Sequence, residues 1–195
     1  MFKRTPCAAG CGNGAISGSE LCGLHCADPR QEARRIAADI FGKNTICDLG
    51  AAHLSFEYHD FSSKHFYGCN FTEDCFKSCL FRGVLARMVF FDGSVFNDCD
   101  FSNCDLQFLS FGGCTFENCK FNDSELVHLN FNGASVSASS FDHSNLYNSR
   151  FSMAKLVQTS IEDCNLKNVH FFNVEWDGVS FKYSNTKDAF FKMES

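Results

Sequence analysis

The stretch Phe96-Asn97-Asp98-Cys99-Asp100-Phe101-Ser102-Asn103-Cys104-Asp105-Leu106 decides the fold. A large apolar residue stands at every fifth place, and a small one stands two places before it. Read outward in both directions, the every-fifth series runs without insertion from Phe56 to Phe191. It covers 28 sites and takes eighteen of the 24 Phe in the chain. Small residues precede it at most sites, as at Cys79, Ser94, Cys99, Cys119, Ala134, Ser144, Thr159 and Val174. A helix would turn each fifth residue ~140° further round and scatter the Phe over every face. A flat strand alternates faces with a period of two, and five is odd. A chain that turns a corner every five residues satisfies the pattern, and four such sides close a coil of about twenty residues.

Sites twenty apart test this reading. Phe71, Phe91, Phe111, Phe131, Phe151, Phe171 and Phe191 form one such series, and Leu106, Leu126, Leu146 and Leu166 form another. Segregation of Leu onto one series fixes a four-sided cross-section and about seven coils. At the ~4.8 Å spacing of paired strands these make a rod of about 34 Å with a dry Phe core.

Repeated Phe-x-x-Cys-x and Leu-x-x-Ser-x units resemble the pentapeptide-repeat family. That resemblance implies an all-β fold, a right-handed quadrilateral parallel β-helix, here over residues 45–195. Some sites depart from the pattern. Leu109 and Leu129 occupy a small-residue site one coil apart, where a local widening is expected. His59, Lys64 and Asp74 are polar at such sites, so irregular first coils are expected. Ala86 and Thr186 are undersized central residues.

Residues 1–27 read as a separate module. Cys7-x3-Cys11-x10-Cys22-x2-His25 places two close pairs of soft ligands across a Gly-rich loop, the donor set of one tetrahedral, structural Zn²⁺. Cys26 is the alternative fourth ligand. So short a segment has no core, and metal binding would supply its folding energy. The pattern is similar to zinc-knuckle or treble-clef-like motifs in which a Leu-Cys-x-x-His turn opens a helix. A capping helix is predicted within residues 28–44: Asp28 as N-cap, Pro29 in the first turn, Gln31 to Phe41, then Gly42. Its apolar face (Ala33, Ile36, Ala37, Ile40, Phe41) suits the open end of a solenoid. The competing role for this segment is a nucleic-acid contact through Arg30, Arg34 and Arg35.

Charge and composition narrow the function. Net charge is −6, divided as +2 over residues 1–44 and −8 over the remainder. An acidic body lacks the cations that a phosphate backbone needs, so no direct nucleic-acid contact by the solenoid is expected. Met1 to Pro6 has no apolar signal core and no segment is long and apolar enough for a membrane, so a cytoplasmic protein is expected. The 13 Cys then read as reduced core residues or metal ligands. Cys75 stands at an outward, reactive position. No nucleophile–base pair, phosphate loop or paired-carboxylate motif is present, so no enzyme is expected.

Only the unrepeated outer positions are left to encode a partner. Met88, Phe108 and His128 stack in one outward column, with Val127 and Tyr147 in the next, and form a candidate protein-binding patch. Asp98, Asp100, Glu117, Asp123, Asp142, Glu162 and Asp163 make two faces acidic. The first expectation is therefore a protein-interaction scaffold. The alternative follows from the family resemblance: some members bind DNA gyrase or topoisomerase IV as DNA mimics and give quinolone resistance. Such relatives dimerise through a C-terminal helix, which the repeat replaces here up to Phe191. The last coil, with Phe190 and Phe191, offers a homodimer contact instead.

Overall fold

The computed structural model describes residues 5–192, so Met1–Arg4 and Met193–Ser195 of the expected end segments lie outside the described residues. One α-helix, α1 (Pro29–Phe41), precedes twelve three-residue strands, and a single 3-10 turn (Thr186–Asp188) lies in the last coil. They are β1 (Thr45–Cys47), β2 (Ser55–Glu57), β3 (His65–Tyr67), β4 (Cys75–Lys77), β5 (Leu85–Arg87) and β6 (Val95–Asn97), followed by β7 (Asp105–Gln107), β8 (Thr115–Glu117), β9 (Glu125–Val127), β10 (Ser135–Ser137), β11 (Lys155–Val157) and β12 (Glu175–Asp177). All pairings between them are parallel. One sheet runs β1-β3-β5-β7-β9 and the opposite one runs β2-β4-β6-β8-β10-β11-β12. Each register step is twenty residues, as in Phe76↔Phe96 and Leu106↔Leu126. The other two sides are held by one bridge per coil, such as Asp100↔Lys120 and Ser110↔Asn130. The result is a four-sided parallel β-solenoid of about seven coils. Its coil register begins at Ile46, ten residues before the first Phe of the series.

Backbone conformation explains the corners. Every fifth residue from Asp48 to Tyr183 is left-handed, with φ between 47° and 70°. Gly, Asn and Asp tolerate that region and hold most of these sites, including Gly68, Asp98, Asn103, Gly113, Asn118 and Asn168. Polar outer residues are thus partly a corner requirement rather than a solvent preference.

Small sites do more than save space. The hydroxyl or thiol there donates to the carbonyl of the central residue 23 positions back. Ser144 Oγ bonds Phe121 O at 2.7 Å, Ser149 Oγ bonds Leu126 O at 2.7 Å, and Cys104 Sγ bonds Phe81 O at 3.0 Å. Burial pushes the Cys104 and Cys114 thiols up to about 12, so they stay protonated donors. The Phe core is a set of parallel stacks. Phe96 lies 4.9 Å from both Phe76 and Phe116, with interplanar angles of 6° and 7°. Adjacent stacks meet edge to face, as Phe96 and Phe101 do at 5.4 Å and 71°.

The first coils are regular, contrary to expectation, and two of the three polar departures, Lys64 and His59, meet the cap. Lys64 Nζ donates to Phe41 O and Lys43 O at 3.1 and 2.7 Å and so satisfies the end of α1. His59 lies against Phe41 and Phe61, with ring centroids at 6.2 and 5.7 Å. The expected helix forms, with Asp28 Oδ1 accepting from the N–H groups of Arg30 and Gln31 at 3.0 Å. Ala33, Ile36, Ala37 and Ile40 are buried over the first coil, whereas Phe41 stays half-exposed at its rim. The ladder also passes Leu109 and Leu129 unbroken, with Asn130 N to Leu109 O at 3.0 Å and Arg150 N to Leu129 O at 2.9 Å.

Asp74 is the costly departure. It is buried, and Oδ1 accepts from Leu54 N at 2.8 Å, but Oδ2 has no partner. Burial raises its pKa well above 3.8. A carboxyl whose folded pKa is raised binds its proton better when folded, so its contribution to stability declines as pH rises above about 3.8. Asp74→Asn keeps the acceptor and carries no charge. Thermal melts should therefore show the variant gaining on the wild type steadily from pH 4 to pH 7. A constant difference over that range would contradict the buried-carboxyl account.

Candidate functional sites

Cys7, Cys11, Cys22 and His25 are brought together by two turns. Gly10 and Gly12, with φ of 70° and 86°, fold the chain between the first two cysteines, and Gly10 N donates to Cys7 O at 2.9 Å. The second turn has His25 N and Cys26 N both donating to Cys22 O, at 3.0 and 2.9 Å. Gly23 in that turn lies so close to the first coil that a Cβ would run into the carbonyl oxygens of His53 and Ala52. The module is thereby seated on the solenoid.

The four ligand atoms lie within 4.8 Å of one another. Cys11 Sγ–Cys22 Sγ is 3.7 Å, Cys22 Sγ–His25 Nδ1 is 3.3 Å and Cys7 Sγ–His25 Nδ1 is 3.9 Å. A tetrahedral zinc with bonds of ~2.3 Å to sulfur and ~2.0 Å to nitrogen sets edges of about 3.8 Å for S···S and 3.5 Å for S···N. The donor set fits that ion. Cys22 N donates to Cys7 Sγ at 3.3 Å, and this bond draws the Cys7 thiol down to about 7, toward the thiolate that ligates. Cys26, the alternative ligand, is turned away: its thiol donates to Gly23 O at 3.4 Å, and burial raises its pKa.

The predicted outer patch is a physical stack. Phe108 and His128 lie face to face at 4.8 Å and 9°, and Tyr147 meets His128 edge-on at 5.8 Å. Met88 and Phe108 are exposed at 51% and 55%, while Val127, His128 and Tyr147 are half-buried. Met88, Phe108 and His128 are all corner residues, with φ of 53°, 59° and 58°. The same column has Asp48, Gly68, Asn148 and Asn168 at its other corners, residues that the left-handed region favours.

The acidic faces are less free than their sequence suggests. Asp100 is buried, not facial, and accepts from Arg82 Nε at 2.6 Å. Asp142 accepts from Ser160 Oγ at 2.6 Å and Glu162 N at 2.8 Å, and Glu162 accepts from Ser180 Oγ at 2.5 Å. Asp98 accepts from Asn118 at 2.7 Å, and Asp163 meets His143 at 3.1 Å. Glu117 and Asp123 are exposed. Cys75 is half-buried, and burial raises its pKa, so its thiol is less reactive than its outward position implies. The far end of the solenoid has no α-helix over it among the described residues, and Trp176, Phe190 and Phe191 are 42%, 39% and 38% exposed there.

Residues 91–171 match the sequence profile of the pentapeptide repeat region. The solenoid is a pentapeptide-repeat fold. A trypsin-treated form of QnrB1, a plasmid-mediated fluoroquinolone resistance protein, is similar to 72% of this chain over 81% of its own, at 21% identity and a TM-score of 0.50. HetL, a pentapeptide-repeat protein of heterocyst differentiation from the cyanobacterium Nostoc, aligns at 11% identity over 82% of this chain and 93% of its own, with a TM-score of 0.30. A pentapeptide-repeat protein of the Arabidopsis thaliana thylakoid lumen aligns at 22% identity over 60% and 68%, with a TM-score of 0.27. At 21% identity the likeness to QnrB1 concerns the fold alone and not its use. No curated protein sequence matches the chain. Among the described residues, no helix is long and apolar enough to cross a membrane.

Proposed function

We propose that this pentapeptide-repeat solenoid is a protein-binding scaffold whose partner docks on the Met88–Phe108–His128–Tyr147 face. The observation that carries this reading is the run of three bulky residues, Met88, Phe108 and His128, at left-handed corners stacked one coil apart in a single column. An ordinary side chain there costs about 1–2 kcal/mol; Tyr58, Met153 and Tyr183 take such corners singly, whereas three bulky residues stacked in one column form a surface that points to use. Exposed aromatic and Met side chains are also the types that anchor protein interfaces. The DNA-mimic alternative is weaker, because Asp100, Asp142 and Glu162 spend their carboxylates holding coils together. A gyrase supercoiling assay at micromolar protein should accordingly show no inhibition or protection.

The module supports this reading as an end cap that holds one structural zinc through Cys7, Cys11, Cys22 and His25. Four protein ligands leave no position for a substrate. At the opposite end, the exposed rings of Trp176 and Phe191 suit a second copy of the chain.

Phe108→Asn separates use from stability. Asn is at home in the left-handed region, so the variant should be more stable by about 1 kcal/mol, or ~2–4 °C in Tm for a chain of this size. It should also lose partner capture from extracts of its own cells, while Tyr183→Asn, at an isolated corner, should keep it. A lower Tm for Phe108→Asn would mean that the ring is structural.

A further inference from the structure

The first coil has a strand edge that the cap leaves open. Cys75 N donates to Leu54 O, and Tyr58 N donates to Lys77 O, both at 2.9 Å, in a register that pairs Ser55 with Cys75 and Glu57 with Lys77. This turns the N–H and C=O of Ser55 and Glu57 away from β4, toward the place of a preceding coil. Helix α1 occupies that place, and its backbone groups bond along its own axis. Elsewhere the cap does close the edge, since Ser17 N donates to Gly50 O and Gly50 N to Ser17 Oγ, both at 2.8 Å. Among the described residues, neither Ser55 N nor Glu57 N has a backbone partner on the cap side.

Between α1 and β2 runs a groove made of two adjoining hollows of about 430 and 440 Å³. Arg30 and Arg34 line its helix side, and Ser55, Glu57, Tyr58 and His59 line its strand side. His59 Nδ1 is buried without a hydrogen-bond partner, and the Tyr58 ring is 74% exposed. The ion pairs on α1 are Arg35–Glu32 and Asp39–Lys43, so Arg30 and Arg34 have no carboxylate partner among the described residues. Of the two carboxylates on the walls, Asp28 already caps the helix and Glu57 stands alone against two guanidinium groups. An open edge with unpaired donors and acceptors is the setting for strand addition. The acidic body repels an acidic chain elsewhere and leaves this basic end as its landing point.

We propose that the groove binds an extended acidic peptide segment of another protein as an added strand. Its main chain bonds Ser55 and Glu57, and its carboxylates face Arg30 and Arg34. This site is separate from the Phe108 face and stands or falls independently of it.

A random heptapeptide library displayed against the full, metal-loaded chain provides the probe. Enriched peptides should carry Asp or Glu. Binding of a blocked synthetic copy should weaken at least tenfold with Arg30→Ala/Arg34→Ala. N-methylation of alternate peptide amides should abolish it, and hydrogen exchange at Ser55 and Glu57 should slow on binding. Ser55→Pro removes the edge donor without breaking a ladder bond and should abolish binding, whereas Ser55→Ala should retain it. Should the Pro variant fail to fold, the arginine variant and the methylated peptide still decide. No enrichment, neutral or basic enriched sequences, indifference to the arginine pair, or protection at other amides would each overturn the proposal.

Discussion

Removing metal with excess EDTA at neutral pH is expected to release one zinc per chain and to unfold residues 5–27 while the later coils stay folded. The module has little else to hold it. Cys7 and Cys22 are buried by the cluster itself, and Ile16 is its only other buried apolar side chain. Zinc in small modules contributes an apparent ~10–16 kcal/mol, so its loss removes the whole folding energy of such a segment. Amide exchange should rise across Cys7 to Cys26, and Cys7, Cys11 and Cys22 should become alkylated. The buried coil cysteines, such as Cys104 and Cys119, should stay protected because their coils do not depend on the ion. Cys22→Ser should reproduce the chelated state, since Cys22 Sγ lies nearest both Cys11 Sγ and His25 Nδ1. Protein purified without chelator that carries no metal and alkylates freely at Cys7 would contradict the site.

Phe96→Ala is expected to have the largest effect of any single core change. Phe96 is fully buried between Phe76 and Phe116 and meets Phe91, Phe101 and Phe111 edge-on. Truncating a buried Phe costs about 3–5 kcal/mol, the spread reflecting how far the cavity collapses. Stacked rings above and below resist collapse, which places Phe96 toward the upper part of that range. At ~2–4 °C per kcal/mol, Tm should drop by roughly 10 °C or more. Phe181→Ala, in the half-exposed last coil, should cost only about 1 kcal/mol by its smaller burial. Equal losses at the two positions, read from denaturant midpoints, would contradict a core that is strongest at mid-rod.

Much of this architecture was legible in the sequence because one geometric constraint recurs at every coil. Phe and Leu at every fifth site, segregated at twenty, announce four sides and a core. The Phe series itself begins only at Phe56, since Ile46 and Ala51 fill central sites without being Phe, although the solenoid is expected from residue 45. The left-handed corners have a sequence signal as well, in Gly93, Asp98, Asn103, Gly113 and Asn118 at multiples of five, but the same residue types are ordinary on any solvent-facing turn. His59 and Lys64 looked like faults in the repeat because their function depends on α1, which the repeat does not encode. His25 and Cys26 are neighbours with equal claims by spacing, and only the turn at Cys22 aims one inward. Acidic side chains could be counted, but their use as coil-to-coil acceptors, as at Asp142, needed the stacked geometry. The groove at β2 depends on where the helix is set and had no sequence signature beyond Arg30 and Arg34.

The scaffold reading is tested most directly by placing a photo-crosslinking phenylalanine analogue at position 108, and separately at position 183, in cells that make the protein. The Phe108 position should yield a discrete protein adduct that Met88→Asn weakens, and the Tyr183 position should not. Identical adduct patterns at both positions, or none at 108, would contradict a docking face on this side of the solenoid.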